Sequence, residues 1–110
     1  MALHSPNVID YISVHEASNT VVLHLVDADD WSSVTEHLLA LQTKLEAYLN
    51  FIVEDQILEA YPLAIGRPVL ICWITRFVVP EAAMTFLAQV QSLAATHNIG
   101  IEHLHLPEAN

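Results

Sequence analysis

Residues 27–38, DADDWSSVTEHL, gather the types that do chemistry: three aspartates, a tryptophan, two serines and a Glu-His pair. A calcium loop is the first chemistry to weigh. Such a loop needs glycine at its sixth position and glutamate at its twelfth. Counted from Asp27, those places hold Ser32 and Leu38, so calcium is not expected. Zinc is the second. Of seven histidines, His103 and His105 sit two apart on a β-rich run, which points both rings to one face. A third ligand would have to come from His15, His24 or His37, and nothing in the sequence selects one. The pair is a weak metal candidate, and no cofactor is expected. Nucleophilic catalysis would need a serine or cysteine, a base and an acid converging in space. No G-x-S-x-G elbow occurs, and two glycines are too few for a phosphate-binding loop. The carboxylates Glu54, Asp55 and Glu59 fall in a polar connector, where solvation is the simpler role. No catalytic residue is assigned, and a non-enzyme is expected.

The helix that must follow this stretch explains most of it. Val34, Leu38, Leu41, Leu45, Tyr48 and Ile52 recur at steps of four and three, which predicts an amphipathic helix. Ser33 and Glu36 have capping-box spacing. Asp29 and Asp30 lie just before the positive end of the helix dipole. Trp31 is placed over the end of the core, and His37 beside Glu36 reads as an exposed pair in the first turn.

Around this helix the remaining elements can be read in order. Val8–His15 and Thr20–Val26 are β-rich runs separated by EASN, a hairpin with Asn19 at the left-handed position. Residues 54–67 form a connector with a helical turn around Ile57–Tyr61. Residues 69–79 are almost continuously apolar on both alternating faces, as in a strand covered on both sides. Pro80 opens a second helix, reaching about His97, with no charge beyond Glu81. Residues 99–106 make the last strand. The expected fold is α+β: a ββαβαβ two-layer sandwich of a four-stranded sheet and two helices. The chain reads as one domain over residues 1–110, with frayed tails at 1–6 and 107–110. Four strands at about 4.8 Å spacing span about 14 to 19 Å, and two helices about 10 Å wide cover one such face. Helices on one face would leave Leu70, Ile74 and Val78, or their alternates, bare. A bare apolar face calls for a partner or a second copy.

Charge narrows the partners. Lys44, Arg67 and Arg76 face thirteen carboxylates, a formal net charge of −10. Three scattered cations cannot build a nucleic-acid footprint, and an anionic membrane surface would repel the chain. A cationic protein would be steered in. Apolar residues make up 54% and charged residues 15%, the opposite of a disordered composition. Cys72 is the single cysteine, lies in the run VLICWI and is expected to be a small buried hydrophobe. MALHSPN lacks the basic-then-apolar order of a leader, and no run approaches the roughly 20 residues of a membrane span. A cytoplasmic protein is expected.

The segments NVIDYISV, DW, EHLLALQTKLEAYLNFI and DQILEAYP, a Gly-Arg-Pro step into an apolar strand and a proline-started helix with a Phe-Leu pair together resemble a small bacterial family of domains of unknown function. The resemblance covers most of residues 6–95. It implies a stand-alone cytosolic domain and brings no catalytic residues. The family favours glycine where this chain has Asp55, which puts the connector's turn in question, and the HLHL ending lies outside its pattern.

These readings lead to an acidic interaction protein of the immunity or antitoxin-like kind, binding a cationic toxin or nuclease. The expected contact residues are Asp27, Asp29, Asp30, Glu36, Glu54, Asp55 and Glu59, with Trp31 and Tyr61 as aromatic anchors. The alternatives are a homodimeric structural or regulatory module, and a small-ligand or metal-binding domain built on the histidines.

Overall fold

The structure is a computed structural model, and it describes residues 9–108. The tail 1–6, Val8 at the start of the first predicted strand, and residues 109–110 lie outside the described residues. The elements are β1 (Tyr11–His15), β2 (Thr20–Asp27), α1 (Val34–Val53), α2 (Gln56–Ala60), β3 (Val69–Thr75), α3 (Glu81–Ala95) and β4 (Ile99–His105), with a 3-10 turn at Pro62–Ala64. The predicted α+β architecture and ββαβαβ order are present, with α2 as the helical turn of the connector.

The sheet has the order β1-β2-β3-β4. β1 and β2 form the antiparallel hairpin, while β2–β3 and β3–β4 are parallel. Asn19 takes the left-handed backbone expected of it, at φ 56°. Each parallel step needs a crossover helix, and right-handed crossovers in one direction across a sheet put both helices on the same side. Burial agrees. Val21, Leu23, Leu25, Ile71, Trp73, Ile99 and Ile101 are buried with Leu41, Leu45 and Tyr48 of α1 and Ala83, Leu87 and Ala94 of α3. Their strand alternates, Val22, Leu70, Cys72 and Ile74 among them, stay half-buried. The doubly apolar β3 is thus a central strand covered by helices on one face only. Cys72 is correspondingly half-buried on the other face rather than enclosed.

Two predicted details change. β3 ends at Thr75 because β2 ends at Asp27: the last bonds there run from Arg76 N–H to the Asp27 carbonyl and from Leu106 N–H to the Thr75 carbonyl. Val78 therefore leaves the sheet and is 77% exposed. The Ser33–Glu36 capping box does not form, since the Ser33 side chain makes no cap bond. An Asx-type turn takes its place, with the Asp30 carboxylate accepting from Ser32 N–H at 3.1 Å and Ser32 Oγ–H at 2.7 Å.

Asp55 supplies the turn between α1 and α2 in left-handed backbone, φ 61° and ψ 13°. Glycine takes this conformation freely, and Asp tolerates it better than most side chains. The turn that glycine would make is therefore kept with a different residue. Asp55→Val is expected to cost about 1–2 kcal/mol and Asp55→Gly to be neutral or stabilising; urea denaturation of the two variants checks this.

Candidate functional site

Asp27 is the last residue of β2 and, by strand alternation, points to the helix side with Val21, Leu23 and Leu25. It is 1% exposed. A carboxylate sealed in this way must be paired. Its Oδ2 accepts from His37 Nε2–H at 2.6 Å and from Trp73 Nε1–H at 3.1 Å. Its Oδ1 accepts from Asp29 N–H at 3.2 Å. The other ring nitrogen of His37 lies 2.8 Å from the Asp30 carbonyl. Trp31 lies flat on the His37 ring, with centroids 3.5 Å apart and planes within 5°, and meets Trp73 edge-on at 6.3 Å. The Trp31 indole nitrogen is buried without a hydrogen-bond partner.

The cluster continues along the carboxyl ends of the parallel strands, where Asp27, Thr75 and His105 stand in register. His103 packs on Trp73 at 4.8 Å and hydrogen-bonds with Thr75 Oγ1 at 2.8 Å. His105 Nε2–H donates to the Arg76 carbonyl at 3.1 Å. In open sheets with parallel strands this edge is where ligands bind. Beside it opens a cavity of about 400 Å³ lined by Asp29, Asp30, Ser32, Ser33, Glu36, His37 and Phe77, with Ala28 and Ala40.

A His-Asp pair next to a cavity suggests a general base, but the geometry denies His37 that role. Both ring nitrogens are engaged by oxygens of the chain itself, the Asp30 carbonyl and the Asp27 carboxylate, so neither stands open to a substrate or a metal. The pair is a tie: it fastens the first turn of α1 to the end of β2 and places Trp31 as a lid on the core.

A second tie lies further along α1. Lys44 is fully buried, and its Nζ donates to Asp10 Oδ1 at 2.8 Å. Asp10 Oδ2 accepts from Val26 N–H at 2.8 Å, pairing an amide that β1 is too short to reach. Tyr48 accepts from Asp10 N–H at 3.0 Å and donates to the His24 carbonyl at 2.7 Å, and burial pushes its phenol well above the ordinary tyrosine range. Lys44 and His37 were missed as structural groups, yet a signal existed. His37, Leu41, Lys44 and Tyr48 follow steps of four, three and four. The buried stripe, His37, Leu41, Lys44, Leu45 and Tyr48, is the predicted one rotated by a row, and two of its members are polar.

The predicted contact residues separate into four groups. Asp27 is buried and cannot belong to a partner-facing rim, and His37 is buried rather than an exposed partner of Glu36. Asp29, Asp30 and Glu36 do gather, at the cavity. Hydrogen bonds from Ser32 hold the exposed Asp30 carboxyl below its ordinary range. Glu54, Asp55 and Glu59 are exposed at the far end of α1, which at 20 residues puts them about 28 Å from the first group. Trp31 and Tyr61 are half-buried against the core rather than projecting as anchors. As metal ligands, His103 and His105 share a face as expected, but His24 lies on the opposite face, hydrogen-bonded with Ser13 at 3.1 Å. Among the described residues no group of three or more His, Cys, Asp or Glu side chains is arranged to hold a metal ion. Nor is any helix there long and apolar enough to cross a membrane.

Fold and cluster define a small α+β domain whose buried polar groups hold its elements together. The chain belongs to a family of unknown function (DUF6572), whose profile matches residues 1–106. No curated protein and no solved structure matches it.

Two predictions follow the geometry. His37→Gln removes the buried ring that meets the Asp27 carboxylate and is expected to destabilise by about 3–5 kcal/mol. The double variant Asp27→Asn/His37→Gln, neutral on both sides, should lose less than the sum of the singles by about 1–3 kcal/mol in urea titrations. The second concerns pH. Burial holds His24 and His103 below the ordinary histidine range, with His105 adding to the effect at His103. The unfolded chain therefore takes up these protons first, near pH 6.5 or so. Their stabilisation is present above that value and is lost as pH falls through it. Thermal melts should show this decline, and His24→Gln/His103→Gln should flatten it.

Proposed function

We propose that this chain is a non-enzymatic acidic interaction protein that binds a cationic protein through the cavity end of α1, and that its biological class is an immunity or antitoxin-like inhibitor. The observation that carries this is how the charge is distributed. Lys44, one of three cations, is sealed inside against Asp10. Asp10 and Asp27 are tied internally as well, and the remaining acids far outnumber Arg67 and Arg76. Such a surface attracts basic proteins over long range. Asp29, Asp30 and Glu36 converge on a cavity of about 400 Å³, room enough for an arginine or lysine side chain, beside Phe77, whose ring already carries the chain's own Arg76 guanidinium at 5.5 Å. Support for binding rather than catalysis comes from His37, whose ring nitrogens are both engaged, and from Ser32, whose hydroxyl is held by Asp30.

The test is a pull-down from the native host with the intact chain as bait, read by mass spectrometry at low and high salt. One basic protein is expected, retained at low salt and released at high salt. Asp30→Lys/Glu36→Lys should abolish its retention, while Glu54→Lys/Glu59→Lys at the far end of α1 should only weaken it. A partner held equally by the first double variant, or none at low salt, overturns the proposal. If the partner is a nuclease whose activity survives stoichiometric addition of this chain, the inhibitor class fails while the binding role stands.

A further inference from the structure

Arg76 is one of only three lysines and arginines in the chain, and the fold stations it beside the acidic cavity. β2 and β3 end together at Asp27 and Thr75, and Arg76 is the first residue past that edge. Its backbone is held from both sides. Its N–H donates to the Asp27 carbonyl at 3.0 Å, and its carbonyl accepts from His105 Nε2–H at 3.1 Å. The strands on either side thus fix where the side chain starts, while the side chain itself is exposed. Its guanidinium lies over the Phe77 ring, 5.5 Å from the centroid, within the reach of cation–π attraction.

Phe77 forms part of the cavity wall, and Asp30 and Glu36 are among the other lining residues. A positive charge therefore stands at the edge of the cavity while acids line it. The remaining cations are elsewhere. Lys44 is sealed in the interior. Arg67 precedes β3 at its opposite end, and the seven residues of that strand span about 23 Å.

Distance decides which cation matters. At about 0.1 M salt, charges more than about 10 Å apart are largely screened from one another. A guest cation resting against the Phe77 wall lies within that length of Arg76 and well beyond it from Arg67. Like unit charges about 7 Å apart in water repel by roughly RT, which changes a binding constant about two- to threefold.

We infer that Arg76 is an inhibitory counter-charge built into the cavity, which weakens its hold on basic groups and so discriminates among cationic partners. This rests on the reading of the cavity as the seat of a cationic partner. Arg76 engages the phenyl ring of the wall, and it repels the cation that Asp30 and Glu36 attract. A repulsive element at a binding site raises specificity by penalising groups that merely carry charge.

Fluorescence anisotropy of a dye-labelled hexa-arginine peptide, titrated with the intact chain at 0.1 M salt, tests this. Arg76→Gln should tighten binding about two- to threefold. Arg67→Gln, the same change in net charge, should leave it unchanged, and Arg76→Lys should stay near the wild type because the charge is kept. Both arginines head exposed or half-buried side chains, so circular dichroism should show all three variants folded. Equal tightening by Arg76→Gln and Arg67→Gln overturns the inference, since bulk charge then explains it. So does an Arg76→Gln variant that binds no tighter than the wild type. In either case the cavity reading stands if Asp30→Lys/Glu36→Lys abolishes peptide binding. A peptide that the wild type does not bind, or that this double variant binds equally well, overturns the cavity reading and the inference with it.

Discussion

A carboxylate at the end of a strand, shut away from water, sets the terms for much of this molecule. Asp27 can remain there only while His37, Trp73 and the Asp29 amide all meet it. Each of those groups belongs to a different part of the chain: the first turns of α1, the middle of β3, and the loop between β2 and α1. Satisfying one charge therefore fixes where the helix begins, how the loop turns and where Trp31 rests. Buried pairs of this kind add little net stability over apolar replacements, but breaking one is costly. The Asp27–His37 pair is best understood as setting register and placement.

The Lys44–Asp10 pair repeats this logic at the edge of the sheet. β1 is short, and the amide of Val26 extends past it. Asp10 meets that amide with one oxygen and Lys44 with the other, so the edge of the sheet is closed by a side chain instead of a longer strand. Both ties draw ionisable side chains into the interior. The consequence for function is on the outside, where a single lysine removed from a set of three cations leaves the surface almost wholly acidic.

Two-layer packing divides that surface. The helices cover one face of the sheet and carry most of the acids, while the other face mixes Val22, Leu70, Cys72 and Ile74 with Ser13, His24 and Glu102.

By itself the sequence determined the α+β class, the order of elements, the left-handed turn at Asn19, the length of α1 and the acidic balance, because these follow from local periodicity, turn chemistry and composition. It also put Asp29, Asp30 and Glu36 together, since they are neighbours on the chain. Tertiary structure decided the rest. Asp27 differs from Asp29 and Asp30 only in standing on the last inward position of β2, and that difference buries it. His37 reads as a solvated residue until the helix takes its rotation against the sheet, which buries it along with Lys44. Glu54, Asp55 and Glu59 resemble the first acidic group in type, but the rise of a 20-residue helix carries them to its other end. Which face of β3 is left open came from the direction of two crossovers across the sheet, and neither periodicity nor composition encodes that direction.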